Sequence, residues 1–214
     1  MLTTPDDNPQ LIFESLNSTG LGLTQTDLIR NFLLMGLERT EQETLYTKFW
    51  MPMEKRITAS KDEDEFDKFM QDFLTVKQID IPIKREVYDK YKEYFHEENK
   101  DNFSCVEELE YYSKFYQILA LEVTDDQQIK EAVSNINKLR VTVTYPLLLQ
   151  VFSDEAKGVI TKDDVLEIME LIQSYIFRRQ IVVQMTSGHG RIFATLYDRI
   201  DKGDRQRYVE SVKA

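Results

Sequence analysis

Apolar residues recur along this chain at the three- and four-residue intervals of a helix, and its few glycines and prolines fall between the periodic stretches. Leu11, Ile12 and Leu16 form a first stripe, on a helix that starts at Asn8 with Pro9 in its first turn, where the missing N–H costs nothing. Residues 17 to 20 end it, with Asn17 or Gly20 able to take positive φ. Thr24 then caps a second helix. Asp27, three residues on, completes a capping-box-like pattern, and Leu28, Ile29, Phe32, Leu33 and Leu37 continue inward. A third helix runs over residues 40 to 51 with Leu45, Tyr46, Phe49 and Trp50 inward, and Pro52 kinks or ends it.

The acidic run 61 to 65 suits the start of the next helix, on which Phe66, Phe69, Met70 and Phe73 repeat at helical spacing. Residues 79 to 83, around Pro82, read as extended. Residues 84 to 96 read as helical, with Val87, Tyr88, Tyr91, Tyr94 and Phe95. Ser104 caps a helix reaching Leu121 that carries Leu109, Tyr112, Phe115, Tyr116 and Leu119, and residues 124 to 126 start another with Ile129, Val133 and Ile136. The best strand candidate, residues 139 to 145, is short and lacks a partner, so it reads as an extended segment or a distorted helix. Pro146 opens a very apolar helix (Leu147, Leu148, Leu149, Val151, Phe152) that should be central, and Gly158 stops it. Thr161 and Asp164 repeat the capping pattern before a long helix to about residue 183. Residues 186 to 190 read as a loop, and 191 to 200 as a last amphipathic helix closed by Gly203. The expected fold is all-α, a multi-helix bundle-like domain of about 9 to 10 helices with no significant sheet, and the aromatic stripe from Phe66 to Tyr116 is core.

Composition narrows the chemistry. The net charge of −11 would repel nucleic acid if spread evenly, but residues 177 to 214 hold eight Lys/Arg against four Asp/Glu, so this segment is +4 and the remainder −15. It reads as a solvated mixed-charge tail or as a phosphate-facing surface. No apolar run is long enough to cross a bilayer, and the N-terminus has no signal-peptide pattern. Cys105 is the only cysteine, which excludes an intramolecular disulfide; it reads as a small buried thiol, and a reducing cytoplasm fits best. One cysteine and two histidines, His96 and His189, 93 residues apart, exclude a Cys/His zinc cluster and argue against a histidine-asparagine-histidine nuclease centre. No phosphate-binding glycine loop or nucleophile elbow occurs. Glu63, Asp64, Glu107, Glu108 and Glu110 read as solubilising charge.

Two constellations remain. Glu14, Asn17, Ser18, Thr19 and Gly20 precede Asp27, Arg30 and Asn31, and the turn plus the helix start at Thr24 offer unpaired N–H groups to an anion. Helix capping and a turn explain Asn17, Gly20, Thr24 and Asp27 equally well without a ligand. At the other end, Tyr175-Ile176-Phe177-Arg178-Arg179 closes the long helix with adjacent arginines about 100° apart, offsetting the helix dipole or facing phosphate.

The stretch FESLNSTGLGLTQTDLIRNFLL resembles the motif that closes the N-terminal ParB-like domain of the GmrSD-like family, modification-dependent (type IV) restriction proteins and their relatives in phage defence; Phe13, Glu14, Leu16, Asn17, Gly20, Leu23, Asp27 and Leu28 match its pattern. TYPLLLQVF and SYIFRRQIVVQMTSGHGRIFATL look like later signatures of the same proteins, in the same order. The resemblance implies an N-terminal domain that binds and hydrolyses nucleoside triphosphate, and a downstream histidine-asparagine-histidine nuclease domain. The family's aspartate-glycine-glutamine-glutamine-arginine segment and that nuclease centre have no counterpart in this sequence. The implied layout is therefore a central piece of a longer protein, with residues 1–39 the tail of the ParB-like domain and 40–214 a helical middle domain with a sub-boundary near 123. By the same resemblance Glu14, Asn17, Gly20 and Asp27 border the nucleotide pocket, and Arg178, Arg179 and Arg191 are structural or DNA-facing. No residue of this chain is assigned as catalytic or as a metal ligand, and NTP and Mg2+ belong to the parent. The implied role is coupling the NTPase domain to the nuclease domain of a protein acting on modified DNA. The alternative is a non-enzymatic helical interaction or oligomerisation module.

Overall fold

Thr24 begins the first described helix as its spacing predicts: its hydroxyl accepts from the Asp27 N–H at 3.1 Å, and the Asp27 carboxylate accepts from the Thr24 N–H at 3.2 Å. The computed structural model describes residues 23–59, 62, 64–181 and 189–213. The expected helix over residues 8 to 16 and the turn at 17 to 20 lie outside them. After α1 (Gln25–Leu34) come α2 (Arg39–Leu45), a π turn (Tyr46–Trp50), α3 (Met51–Ile57) and α4 (Glu65–Gln78). A 3-10 turn (Lys84–Glu86) leads into α5 (Val87–Glu98), α6 (Asn102–Leu121) and α7 (Gln127–Lys138). A second 3-10 turn (Thr142–Thr144) precedes α8 (Tyr145–Ala156), α9 (Lys162–Ile181), α10 (His189–Arg199) and α11 (Arg205–Lys213). Among the described residues there is no strand, and the fold is all-α.

Helix α8 is the centre. Pro146 sits in its first turn, and ten consecutive residues, Tyr145 to Asp154, are buried. A helix covered on every side needs neighbours all round; α4, α6, α9 and α10 supply them. One apolar cluster runs from Ile29 and Leu33 on α1 through Trp50, Phe69, Phe73, Tyr116 and Leu148 to Tyr208 on α11. This core is continuous across residues 39/40 and across 123, because α1 packs on α4, α5 and α6, and α7 packs on α6 and α9.

Several local expectations are corrected. Pro52 does not end the third helix. The N–H of Met51 donates to the Tyr46 carbonyl, one residue further back than in an α-helix, and this wide turn makes room for the proline ring and its missing donor. Asp101, not Ser104, caps α6: its carboxylate accepts from the Ser104 N–H at 2.9 Å and the Ser104 hydroxyl at 2.8 Å. Of the two readings of residues 139 to 145, the structure follows the distorted helix: a turn at 139–140 and a 3-10 turn (Thr142–Thr144) lead into α8 at Tyr145. His189 and Gly190 belong to α10, and α11 follows the helix expected to be last. Only Tyr208, Val209 and Val212 are apolar in α11, too few for a periodic signal, so tertiary anchoring sets it.

That anchor is Asp154. Its buried carboxylate accepts from the Tyr197 hydroxyl at 2.8 Å and the Tyr208 hydroxyl at 2.7 Å, joining α10 and α11 to the end of α8. Asp67 does the same for α1, accepting from the N–H of Thr26 at 2.9 Å and from its hydroxyl at 2.6 Å. Asp154→Ala leaves two tyrosine hydroxyls without their acceptor and is expected to lower unfolding free energy by roughly 2–4 kcal/mol, read from urea denaturation; a loss indistinguishable from that of a surface substitution refutes the anchoring role.

Candidate functional site

A groove of about 560 Å3 lies between the C-terminal half of α9, α10 and α11. The periodicity of α9 directs Ile172 and Ile176 into the core and brings Leu171 and Tyr175 to the groove side. Phe193 and Leu196 of α10 and Val212 of α11 complete an apolar floor. The Tyr175 and Phe193 rings meet edge to face at 6.1 Å. Cations ring this floor: Arg178, Arg179, Arg199 and Lys213.

Their partners differ. Arg179 donates to the Tyr175 hydroxyl, and its guanidinium lies 5.4 Å from that ring, so it packs on its own helix. Lys213 pairs with Glu167 at 2.7 Å. Arg178 and Arg199 are exposed and make no ion pair among the described residues. Arg191 is also exposed on α10 but does not line the groove. The structure thus brings Arg178, Arg179 and Arg199 together at the end of α9, where the helix dipole favours positive charge, and leaves Arg191 apart. Sequence reasoning missed Arg199, Lys213 and the apolar floor, because they converge only through the docking of α11.

At the other end, Glu14, Asn17 and Gly20 lie outside the described residues. Asp27 has both oxygens engaged: one accepts from the Thr24 hydroxyl at 3.0 Å and its N–H at 3.2 Å, and the other pairs with Arg30 at 2.9 Å. Arg30 continues to Glu54 at 3.2 Å. The backbone donors that the helix start was expected to offer an anion are taken internally, that of Thr26 by Asp67 and that of Asp27 by Thr24. These contacts fit a cap better than a metal ligand, and among the described residues no group of three or more His, Cys, Asp and Glu is placed to hold a metal ion. No helix of the described residues is long and apolar enough to cross a membrane.

Glu108 and Glu110, expected to be free surface charge, are tied into the structure. Glu110 pairs with Arg56 at 3.1 Å and Lys114 at 2.8 Å. Glu108 accepts from the Tyr94 hydroxyl at 2.6 Å, from Lys77 and from Lys100 at 3.1 Å. Burial pushes the Glu108 pKa up, but the bonds from Lys77 and Tyr94 outweigh it and hold the carboxyl below its ordinary value. Cys105 is buried as expected, and burial raises its thiol to about 11. A second cavity, containing Glu65, Asp72 and Tyr116, was not foreseen; α4 reads locally as one apolar face with charges on the other.

Comparison of the chain with protein-family models, with curated proteins and with solved structures finds no match.

Two outcomes follow from these geometries. Native protein at pH 8 should resist alkylation of Cys105 by iodoacetamide, reaction appearing only at the rate of unfolding, since the folded thiol ionises well above the ~8.5 of a free cysteine; stoichiometric labelling faster than unfolding contradicts a buried thiol. Asp27→Ala removes the carboxylate half of the Thr24–Asp27 capping box and the Arg30 pair, and should cost about 1 kcal/mol in thermal or urea melts.

Proposed function

We propose that this chain is a helical coupling module whose α9–α10–α11 groove takes an acidic amphipathic helix from a neighbouring domain or subunit. The observation that carries the reading is an apolar floor rimmed by cations in a chain of net charge −11. An amphipathic helix lays apolar residues at i, i+3 and i+7 into such a floor, and flanking carboxylates meet the rim. Bare phosphate would leave the floor without apolar partners. Arg178 and Arg199 would supply steering and specificity, and the floor most of the binding energy.

Within the resemblance to GmrSD-like restriction proteins, the helix would belong to the NTPase or the nuclease domain of the parent, and the module would pass the state of one to the other. NTP and Mg2+ would act in the preceding domain, Glu14, Asn17, Gly20 and Asp27 standing at its border, and the setting would be a reducing cytoplasm. A second reading, in which the groove rim and Arg191 contact DNA phosphates, draws on the +4 charge of residues 177 to 214.

The two readings separate in one titration. A designed peptide with leucines at helical spacing and glutamates elsewhere, its scrambled counterpart and a DNA duplex are each titrated into the purified chain at low and moderate salt. Saturable binding of the patterned peptide, at least tenfold stronger than the scrambled one and lost in Arg178→Glu/Arg199→Glu, is expected. Duplex binding with the same variant dependence and no preference between the peptides transfers the groove to DNA. No binding of either probe refutes both.

A further inference from the structure

Between α4 and the Lys84–Glu86 turn, three isoleucines stand on the surface: Ile79, Ile81 and Ile83 are 44%, 42% and 47% exposed. Pro82 is buried between the last two, and its carbonyl accepts from the Gln71 side chain at 2.5 Å, which pins the loop with both isoleucines outward. Ile79 closes α4 with φ 58°, a left-handed conformation that is costly for a β-branched residue and that glycine or asparagine ordinarily takes. Neither backbone preference nor burial accounts for an isoleucine there. The patch continues onto neighbouring elements. A Cβ on Gly190, at the start of α10, would meet Ile81 Cδ1 at 3.0 Å and Val143 Cγ1 at 3.9 Å, and Val143 is itself exposed. Single apolar residues scattered on a surface need no explanation, but a contiguous patch marks a binding surface.

The described chain enters beside this patch. At the start of α1 the Gln25 side chain accepts from the Tyr88 N–H at 2.9 Å, and α1 packs against the Lys84–Glu86 turn, which Ile83 directly precedes. The residues before Leu23 lie outside the described ones, but their sequence is apolar and acidic. Leu11, Ile12 and Leu16 form the stripe of the helix expected over residues 8 to 16, with Phe13 beside it, and residues 1–22 carry Asp6, Asp7 and Glu14 with no Lys or Arg. Residues 17 to 23 join that stripe to Thr24, an extended reach of about 20 Å, enough to return across the three-residue Lys84–Glu86 turn. Arg85, its side chain 84% exposed and 3.9 Å from Glu86, stands at the edge of the patch as a cation for the carboxylates of the segment. The other charges there are engaged: Lys84 pairs with Asp64, and Asp80 accepts from the Ile81 N–H at 3.0 Å.

We propose that the Ile79–Ile83 surface seats the chain's own residues 8 to 16, with Ile12, Phe13 and Leu16 on Ile81, Ile83 and Val143 and with Glu14 toward Arg85. Isolated helices shorter than about 12–15 residues are marginal in water, so a helix over residues 8 to 16 needs a surface to form against. The short connection through residues 17 to 23 holds the segment beside this surface at a local concentration on the order of millimolar, which favours it over a second copy of the chain. Seated there, the segment keeps Glu14, Asn17 and Gly20 on the same flank of the fold as Asp27.

The test is backbone hydrogen exchange of the full chain, read by mass spectrometry. The amides of residues 10 to 16 are expected to exchange at least tenfold more slowly than in a free chain and to lose that protection in Ile81→Asp/Ile83→Asp. The protection should persist through about a hundredfold dilution, since an intramolecular contact does not follow mass action. Ile81 and Ile83 lie outside the core cluster, so α8 should keep its protection in that variant and report an intact fold. The reciprocal variant, Ile12→Asp/Leu16→Asp, leaves every described core residue in place and is expected to speed exchange over residues 79 to 83. Exchange of residues 10 to 16 at the free-chain rate, or protection unchanged by either variant, overturns the proposal. Protection that falls on dilution gives the surface to a second copy and overturns the intramolecular seat.

Cross-linking gives a second, geometric readout. The full chain carrying Ile12→Cys with Ile83→Cys is compared under mild oxidation with one carrying Gln10→Cys with Ile83→Cys. Residues 10 and 12 have nearly equal tethers, but two steps of about 100° set them on opposite faces of a helix. Cys105 is buried and stays out of the reaction. A monomeric disulfide forming at least tenfold faster for the Ile12 pair is expected. Equal rates for the two pairs, or a dimeric product, overturn the proposal. Neither measurement depends on the α9–α10–α11 groove.

Discussion

The complete burial of α8 is the constraint from which the rest of the architecture follows. A helix with Leu147, Leu148, Leu149, Val151 and Phe152 in one run has no face to give to water, so the chain must wrap it on all sides. That requirement brings α4 and α6 from the first half of the sequence against α9 and α10 from the second. The two ends of α8 then carry polar hubs. At its start, Tyr145 joins Asn137 and the end of α6. At its finish, Asp154 gathers Tyr197 and Tyr208. The basic groove is built from helices that Asp154 fixes, and the smaller cavity adjoins Tyr145 at the opposite end of α8.

Many polar interior groups in this fold are paired across long sequence distances. Asp67 holds Thr26, Arg56 reaches Ser113 at 2.6 Å and Glu110, and Glu108 joins α4, α5 and α6 through Lys77 and Tyr94. Exceptions among the described residues include the indole N–H of Trp50, the hydroxyl of Tyr91 and the side-chain oxygen of Gln150, which are buried without a partner. The same contrast separates the groove arginines. Arg179 is committed to Tyr175, whereas Arg178 and Arg199 are left to the solvent side.

What could be read from the sequence was set by local physics. The Thr24–Asp27 box, Pro146 at a helix start, the aromatic spacing of Phe66, Phe69 and Phe73, and the central apolar run all depend on residues within a turn or two of one another. The features that escaped depend on distant partners. Ser104 reads locally as a cap, but Asp101, three residues earlier, takes that role and Ser104 becomes its donor. Helix α11 has too little apolar periodicity to announce itself and is held by Tyr208, Val209 and the ion pairs of Arg205 with Asp164 and Lys213 with Glu167. Arg178 and Arg179 stood out as a doublet, but the groove they rim needs Phe193, Leu196 and Val212 from two other helices.

The π turn at Tyr46–Trp50 carries a consequence of another kind. The buried residues of this continuous helical stretch are Leu45, Trp50, Met53 and Ile57, with a first interval of five. In a regular α-helix five steps of about 100° would put Trp50 on the order of 140° away from Leu45, facing water. The wide turn restores the phase, so one surplus residue is carried as a bulge and the downstream face stays in register. Seen this way, the segment is tolerant of length change: losing one residue between Leu45 and Trp50 turns the bulge into an ordinary turn without rotating Met53 or Ile57 out of the core. Loss of a single residue, normally ruinous inside a helix, has here a place where a lineage can accept it.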